Sequence, residues 1–165
     1  MLFRSPRVRA SQADLAAQLH LAKRLERGLS ASFDGYNALA KTRAVLADDL
    51  KASASAGDKT DAASTLQALD KRLEAVQSGT VEAPGVGPVN REMARLFSMV
   101  ESADVRPADA LENASAAWCA SLGRALDAWR QLNGPELTAA NAVLARLQRP
   151  ALAIPPAPPM PACAR

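Results

Sequence analysis

Between Ser11 and about Ala56, apolar residues recur at alternating spacings of mostly three and four: Leu15, Leu19, Ala22, Leu29, Phe33, Tyr36, Ala40 and Leu50. That spacing predicts one apolar stripe along a long helix. Leu25, Leu39 and Leu46 form a second row beside it and widen the stripe. At 1.5 Å per residue the helix would be roughly 65 Å long, and a stripe of that length demands partners throughout. Ser11, with Asp14 three residues on, marks the start, because the hydroxyl caps free N–H groups and the carboxylate meets the positive end of the helix dipole. Gly28 and Gly35 fall inside the helix and cost about 1 kcal/mol each relative to Ala, so they are expected to allow close packing or a slight bend. The end is expected in the small-residue run Ser53 to Asp58, which contains Gly57.

The rest of the chain supplies partners for that stripe. A second helix is expected from Asp58 or Thr60 to Gln77 or Ser78, with Ala62, Leu66, Leu69, Leu73 and Val76 as a narrow seam of the coiled-coil type. Gly79 to Pro88 is rich in Gly and Pro and is expected to be non-helical. Val89, Met93, Leu96 and Val100 carry the seam onward to about Ala103, so the second and third helices read as one broken descending leg. After a turn containing Pro107, a returning helix carries Leu111, Ala114, Trp118, Leu122, Ala125, Trp129 and Leu132 on one face. Asn133-Gly-Pro interrupts it, and Glu136 to Gln148 resumes it with Leu137, Ala140, Leu144 and Leu147 inward. The expected fold is therefore all-α: a three-legged, antiparallel up-down-up helical bundle, its second leg broken near 79–88 and its third kinked near 134–135. Residues 1–10 read as an extended N-terminal segment, 11–149 as the bundle domain, and 150–165 as a Pro-rich tail, disordered beyond Ile154.

Composition agrees with the helical reading. Of 165 residues 48% are apolar, a share that Ala dominates, and aromatic residues make up only 4%, which favours helix over sheet. The net charge of +3 is spread along the helices as solvated faces are, so a nucleic-acid interface is not expected. No apolar run reaches membrane-spanning length. Met1-Leu-Phe-Arg lacks the apolar stretch of an export signal, so the chain as written would stay where it was made, although a longer parent could be exported. Of the two cysteines, Cys119 reads as a small core residue and Cys163 as a free surface thiol; a disulfide between them would require the tail to fold back.

The search for chemistry yields mainly exclusions. His20 is the sole histidine, so neither a di-iron helix motif nor a His-rich zinc site can be assembled, and it reads as a helix-surface residue without a nucleophile beside it. Asp48-Asp49 and Glu101 with Asp104 are the densest carboxylates, read as solvated helix ends in place of a glycosidase pair. Gly85-Val-Gly follows no strand and lacks the Lys and Ser/Thr of a phosphate loop. Asn113-Ala-Ser is a glycosylation sequon that falls inside a helix. Phe33, Tyr36, Phe97, Trp118 and Trp129 could line a ligand cavity, though aromatics at helical spacing usually form core. No catalytic, cofactor-binding or metal-binding residue is assigned.

Three dispersed motifs carry a resemblance: Ser5-Pro-Arg-Val-Arg-Ala-Ser-Gln-Ala-Asp-Leu-Ala-Ala-Gln, Ala94-Arg-Leu-Phe-Ser-Met-Val-Glu-Ser-Ala-Asp with Pro107 after it, and Leu137-Thr-Ala-Ala-Asn-Ala-Val-Leu. In this order they resemble the C-terminal helical region of bacterial sortilin-like or BNR-repeat β-propeller proteins, often described as glycosyl hydrolase-like, over about residues 4–154. Ser5 stands where that family commonly has Asp, and every propeller repeat is absent. The resemblance implies a non-enzymatic accessory or interaction domain without cofactor, a stand-alone or truncated copy, whose partner would be a β-propeller or a second copy of itself. The alternative is a helical ligand-binding or carrier domain with a pocket at the aromatic positions.

Overall fold

The structure is a computed structural model and describes residues 10–55 and 61–163. Five helices follow one another: α1 (Gln12–Ser55), α2 (Asp61–Ser78), α3 (Val86–Glu101), α4 (Asp109–Arg130) and α5 (Pro135–Arg146), with a 3-10 turn over Gln131–Asn133 joining the last two. There is no strand among the described residues. The turn expected around Gly57 and the start of α2 before Asp61 lie outside the described residues.

At the start of α1 the Asp14 N–H donates to Ser11 Oγ at 3.1 Å, and the Ser11 N–H donates to Asp14 Oδ2 at 2.9 Å. This is a reciprocal capping box with Asp in the third position. Hydrogen bonds from the Ser11 hydroxyl, then from its backbone, hold the Asp14 carboxyl below its ordinary pKa. The cap therefore contributes at neutral pH and is lost as pH falls through that lowered value.

The buried face of α1 differs from the row that hydrophobicity marks out. Leu21, Leu25, Gly28, Ser32, Gly35, Leu39, Thr42, Leu46 and Asp49 are buried in unbroken four-three steps, a heptad seam. The expected second row, Leu25, Leu39 and Leu46, belongs to it. Most of the expected main row does not: Leu19, Phe33 and Tyr36 are 55%, 58% and 43% exposed. The physical reason is close approach. A Cβ on Gly28 would lie 2.5 Å from Met93 Sδ, and one on Gly35 would lie 2.8 Å from the Trp129 ring. Where large side chains of the neighbours fill the seam, α1 must present small ones, and a stripe read from large apolar residues then points to the wrong side.

Cross-links fix the direction of each leg. Gln18 Nε2 donates to the carbonyls of Val100 (2.6 Å) and Ala103 (2.9 Å), capping the C-terminal end of α3. Farther along α1, Asn90 Nδ2 reaches the Leu29 carbonyl and Ser32 Oγ. Farther still, Arg43 grips both Asp70 oxygens (2.8 and 3.2 Å) and the Gln77 side-chain carbonyl oxygen. As residue numbers rise on α1 they fall through α3 and then α2, so these two helices run antiparallel to α1, end to end along it. Between them Gly79 takes φ +91°, and a Cβ on Gly85 would lie 2.4 Å from Gly79 N, so the loop closes tightly on itself. Gly87 and Pro88, expected in the break, instead form the first turn of α3, where a missing proline N–H leaves no bond unmade.

α4 packs on α3, and α5 on α2. Trp129 meets α1 at Gly35 and Arg149 meets it at Asp49, so the α4–α5 leg rises alongside α1. Pro135 opens α5 after the 3-10 turn, which is the interruption that Asn133-Gly-Pro predicts.

Candidate functional site

The residues that stand out chemically lie where the chain leaves α5. That helix ends in a Schellman-type cap: the Arg149 N–H donates to the Leu144 carbonyl at 2.9 Å and the Gln148 N–H to the Ala145 carbonyl at 3.1 Å. Gln148 sits at φ 55°, a left-handed position that favours glycine. The cap turns the chain back along the bundle. Arg149 Nε then donates to Asp49 Oδ1 at 2.7 Å, and the Asp49 side chain is only 4% exposed. The reading of Asp49 as a solvated helix end is thus corrected: it is a nearly buried carboxylate whose charge is met by a residue one hundred positions on. Asp48 does face solvent, paired with Lys51.

From Pro150 the tail runs antiparallel to α5 and α4 as an extended strap. Asn141 reads Leu152 with both ends of its amide, accepting from its N–H at 2.8 Å and donating to its carbonyl at 3.1 Å. Leu152 and Ile154 are buried. Trp129, 1% exposed, donates its indole N–H to the Pro155 carbonyl at 3.0 Å. Met160 lies against Gly123, and Cys163 is bonded to Cys119 in a disulfide. Two expectations give way here. Cys163 is a buried, bonded residue and not a free surface thiol, and the tail beyond Ile154 follows a defined path as far as residue 163. Closing a loop of this length restricts the unfolded chain by about 4 kcal/mol on the chain-entropy account. Outside the strap a groove of about 700 Å³ opens between it and α1, lined by Asp34, Lys41, Val45 and Asp49 on one side and residues 149–153 and Pro155 on the other.

The remaining sequence candidates are scattered. His20 is exposed on α1, and Glu101 and Asp104 are exposed at the far end of α3. Asn113 lies on the outer face of α4. Gly85-Val-Gly serves the tight loop into α3. The five aromatic residues do not converge. Trp129 is enclosed under the strap, Phe97 and Trp118 pack on the edge of the core, Phe33 faces outward, and Tyr36 borders Gly87 at the α1–α3 edge. The groove beside the strap has none of them in its wall. Among the described residues no cluster of three or more His, Cys, Asp or Glu is placed to hold a metal ion, and no helix is long and apolar enough to cross a membrane. Sequence reasoning missed Arg24, buried between Leu21 and Leu25, whose Nε has no hydrogen-bond partner among the described residues. It also missed Asn141, although an Asn on the inner side of a short helix preceding a Pro-rich run was a readable signal.

No protein-family description, curated protein or solved structure matches the chain.

Proposed function

We propose that the chain is a non-enzymatic interaction module whose partner surface is the outer flank of α1. The observation that carries this reading is three large apolar side chains left uncovered on one side of α1. Leu19, Phe33 and Tyr36 are exposed there, beside the half-buried Leu15 and Ala40, while Ala22 and Leu29 on the same side pack against the core and Glu26 stands between them. Single exposed apolar residues are ordinary, but a row that follows one helix over several turns is the kind of surface that binds another protein. The occupant that best fits the row is a second copy, whose own α1 flank offers the same apolar chemistry. A β-propeller, the partner implied by the sequence resemblance, would cover the same flank. The Cys119–Cys163 bond supports residence in an oxidising compartment, where such bonds persist.

Sedimentation velocity over a wide concentration range tests the self-association. The wild-type chain should form a dimer that the Phe33→Ser/Tyr36→Ser variant loses, with helical content unchanged by circular dichroism. A wild-type chain that stays monomeric to millimolar concentration, indistinguishable from the variant, would remove this reading.

A further inference from the structure

We propose that the seam between α1 and α4 is a binding groove for extended proline-triplet peptides, and that the chain's own tail is its tethered occupant. From Ile154 the sequence repeats in threes: Ile154-Pro-Pro, Ala157-Pro-Pro, Met160-Pro-Ala, Cys163. A polyproline II helix has three residues per turn, so each leading residue of a triplet lands on one face. The two ends of the run keep that period, Ile154 and Cys163 being buried nine residues apart. Between them Ala157, Pro158 and Pro161 are half-buried, Met160 is 42% exposed although it contacts Gly123, and Pro155, Pro156 and Pro159 face solvent.

The bundle supplies what such a ligand lacks. A polyproline II strand makes no internal hydrogen bonds and its carbonyls must find donors outside. Trp129 provides one from the C-terminal end of α4, and the Asn141 amide provides a donor and an acceptor from α5. The strand lies in van der Waals range of two glycines on the floor: a Cβ on Gly123 would lie 3.5 Å from Met160 Cε, and one on Gly28 would lie 3.9 Å from Cys163 Cβ, both ordinary packing distances. Aromatic residues that line a groove are a recognised means of reading proline-rich segments, and Trp129 aims its indole N–H at a proline carbonyl here. All the reading groups belong to the bundle, and none of these contacts depends on the covalent link at Arg149. A proline-triplet segment from a partner chain therefore meets the same chemistry. While the tail is attached it competes at an effective concentration on the order of millimolar. The disulfide makes that occupancy permanent until a dithiol reductant delivers two electrons and two protons, leaving two cysteine thiols and becoming a disulfide itself. This inference uses a different face from the α1 flank and stands or falls without it.

The test is fluorescence anisotropy with a labelled synthetic peptide of residues 151–163 bearing Cys163→Ser. The receptor is the full chain with its own anchors removed by Leu152→Ser, Ile154→Ser, Cys119→Ala and Cys163→Ser, its helicity checked by circular dichroism. Saturable binding to this variant is expected, with none to the oxidised wild-type chain, and adding Trp129→Phe should weaken binding roughly tenfold, the loss of about one hydrogen bond. No saturable binding to a helical variant, or equal binding of a scrambled peptide, would overturn the proposal. Should the variant fail to fold, the wild-type chain is reduced with dithiothreitol and reoxidised with excess peptide carrying the native cysteine. Mass spectrometry should then find that peptide joined to Cys119 several-fold more often than its scrambled counterpart, and equal capture of the two would sink the idea.

Discussion

Along α1 the core is closed by helices, whose backbone groups satisfy one another and whose side chains have only to fit. Along α4 it is closed by an extended strap, which has a single internal backbone bond among those described, from the Cys163 N–H to the Pro161 carbonyl, and draws others from Trp129 and Asn141. The helical side spreads its stabilisation over many buried residues, among them Leu25, Leu39, Leu46, Leu66, Leu69 and Met93. The strap side concentrates it in the Leu152 and Ile154 anchors, the bonds from Trp129 and Asn141, the Arg149–Asp49 ion pair and a covalent bond. The difference teaches where each can fail. Loss of one leucine weakens the whole bundle, whereas loss of one strap anchor can free that segment while the helices hold.

The largest expected effect tests the covalent end of that contrast. Cys163→Ser should lower the stability of the oxidised chain by about 4 kcal/mol in urea denaturation. It should also expose residues 150–162 to proteolysis under conditions in which the helices survive. If the strap stays protected, its other anchors suffice and the contrast dissolves. The next test compares the two rows of α1. Leu25→Ala, at a fully buried seam position, should cost about 3 kcal/mol. Leu19→Ala, on the exposed row, should change stability by less than about 0.5 kcal/mol in the same assay at a concentration where the chain is monomeric. Similar losses at both positions would mean that the outer row is covered within the monomer itself. The smallest effect sharpens the hinge between helix and strap. Gln148→Gly should raise stability by about 1 kcal/mol, read as a higher urea midpoint, because glycine occupies the left-handed cap position without steric cost.

The helices were legible because their signals are local. Ser11 with Asp14 announced the first cap, the leucine ladder of α2 is buried as spaced, and Gly134-Pro135 marked the kink. Which side of α1 faces inward was not legible from apolar spacing, since Gly28, Ser32, Gly35 and Thr42 are inward residues, and at the first three the size is dictated by Met93, Asn90 and Trp129 on other elements. The strap was misread for a related reason. Proline density suggests disorder when the segment is considered alone, and its order comes from donors far away in the chain. One clue was local all the same: the triplet repeat from Ile154 to Cys163 ends on a cysteine, and its first and last leading residues are the ones that are buried.

The Cys119–Cys163 bond also decides how the molecule carries mechanical load. Tension drawn through the C-terminal end enters the body at Cys119, in the middle of α4, and bypasses everything between the two sulfurs. The second half of α4, all of α5 and the strap itself are thereby shielded from pulling. A tether attached at that end would tug on α1, α2, α3 and the first turns of α4, and would leave the enclosed segment slack.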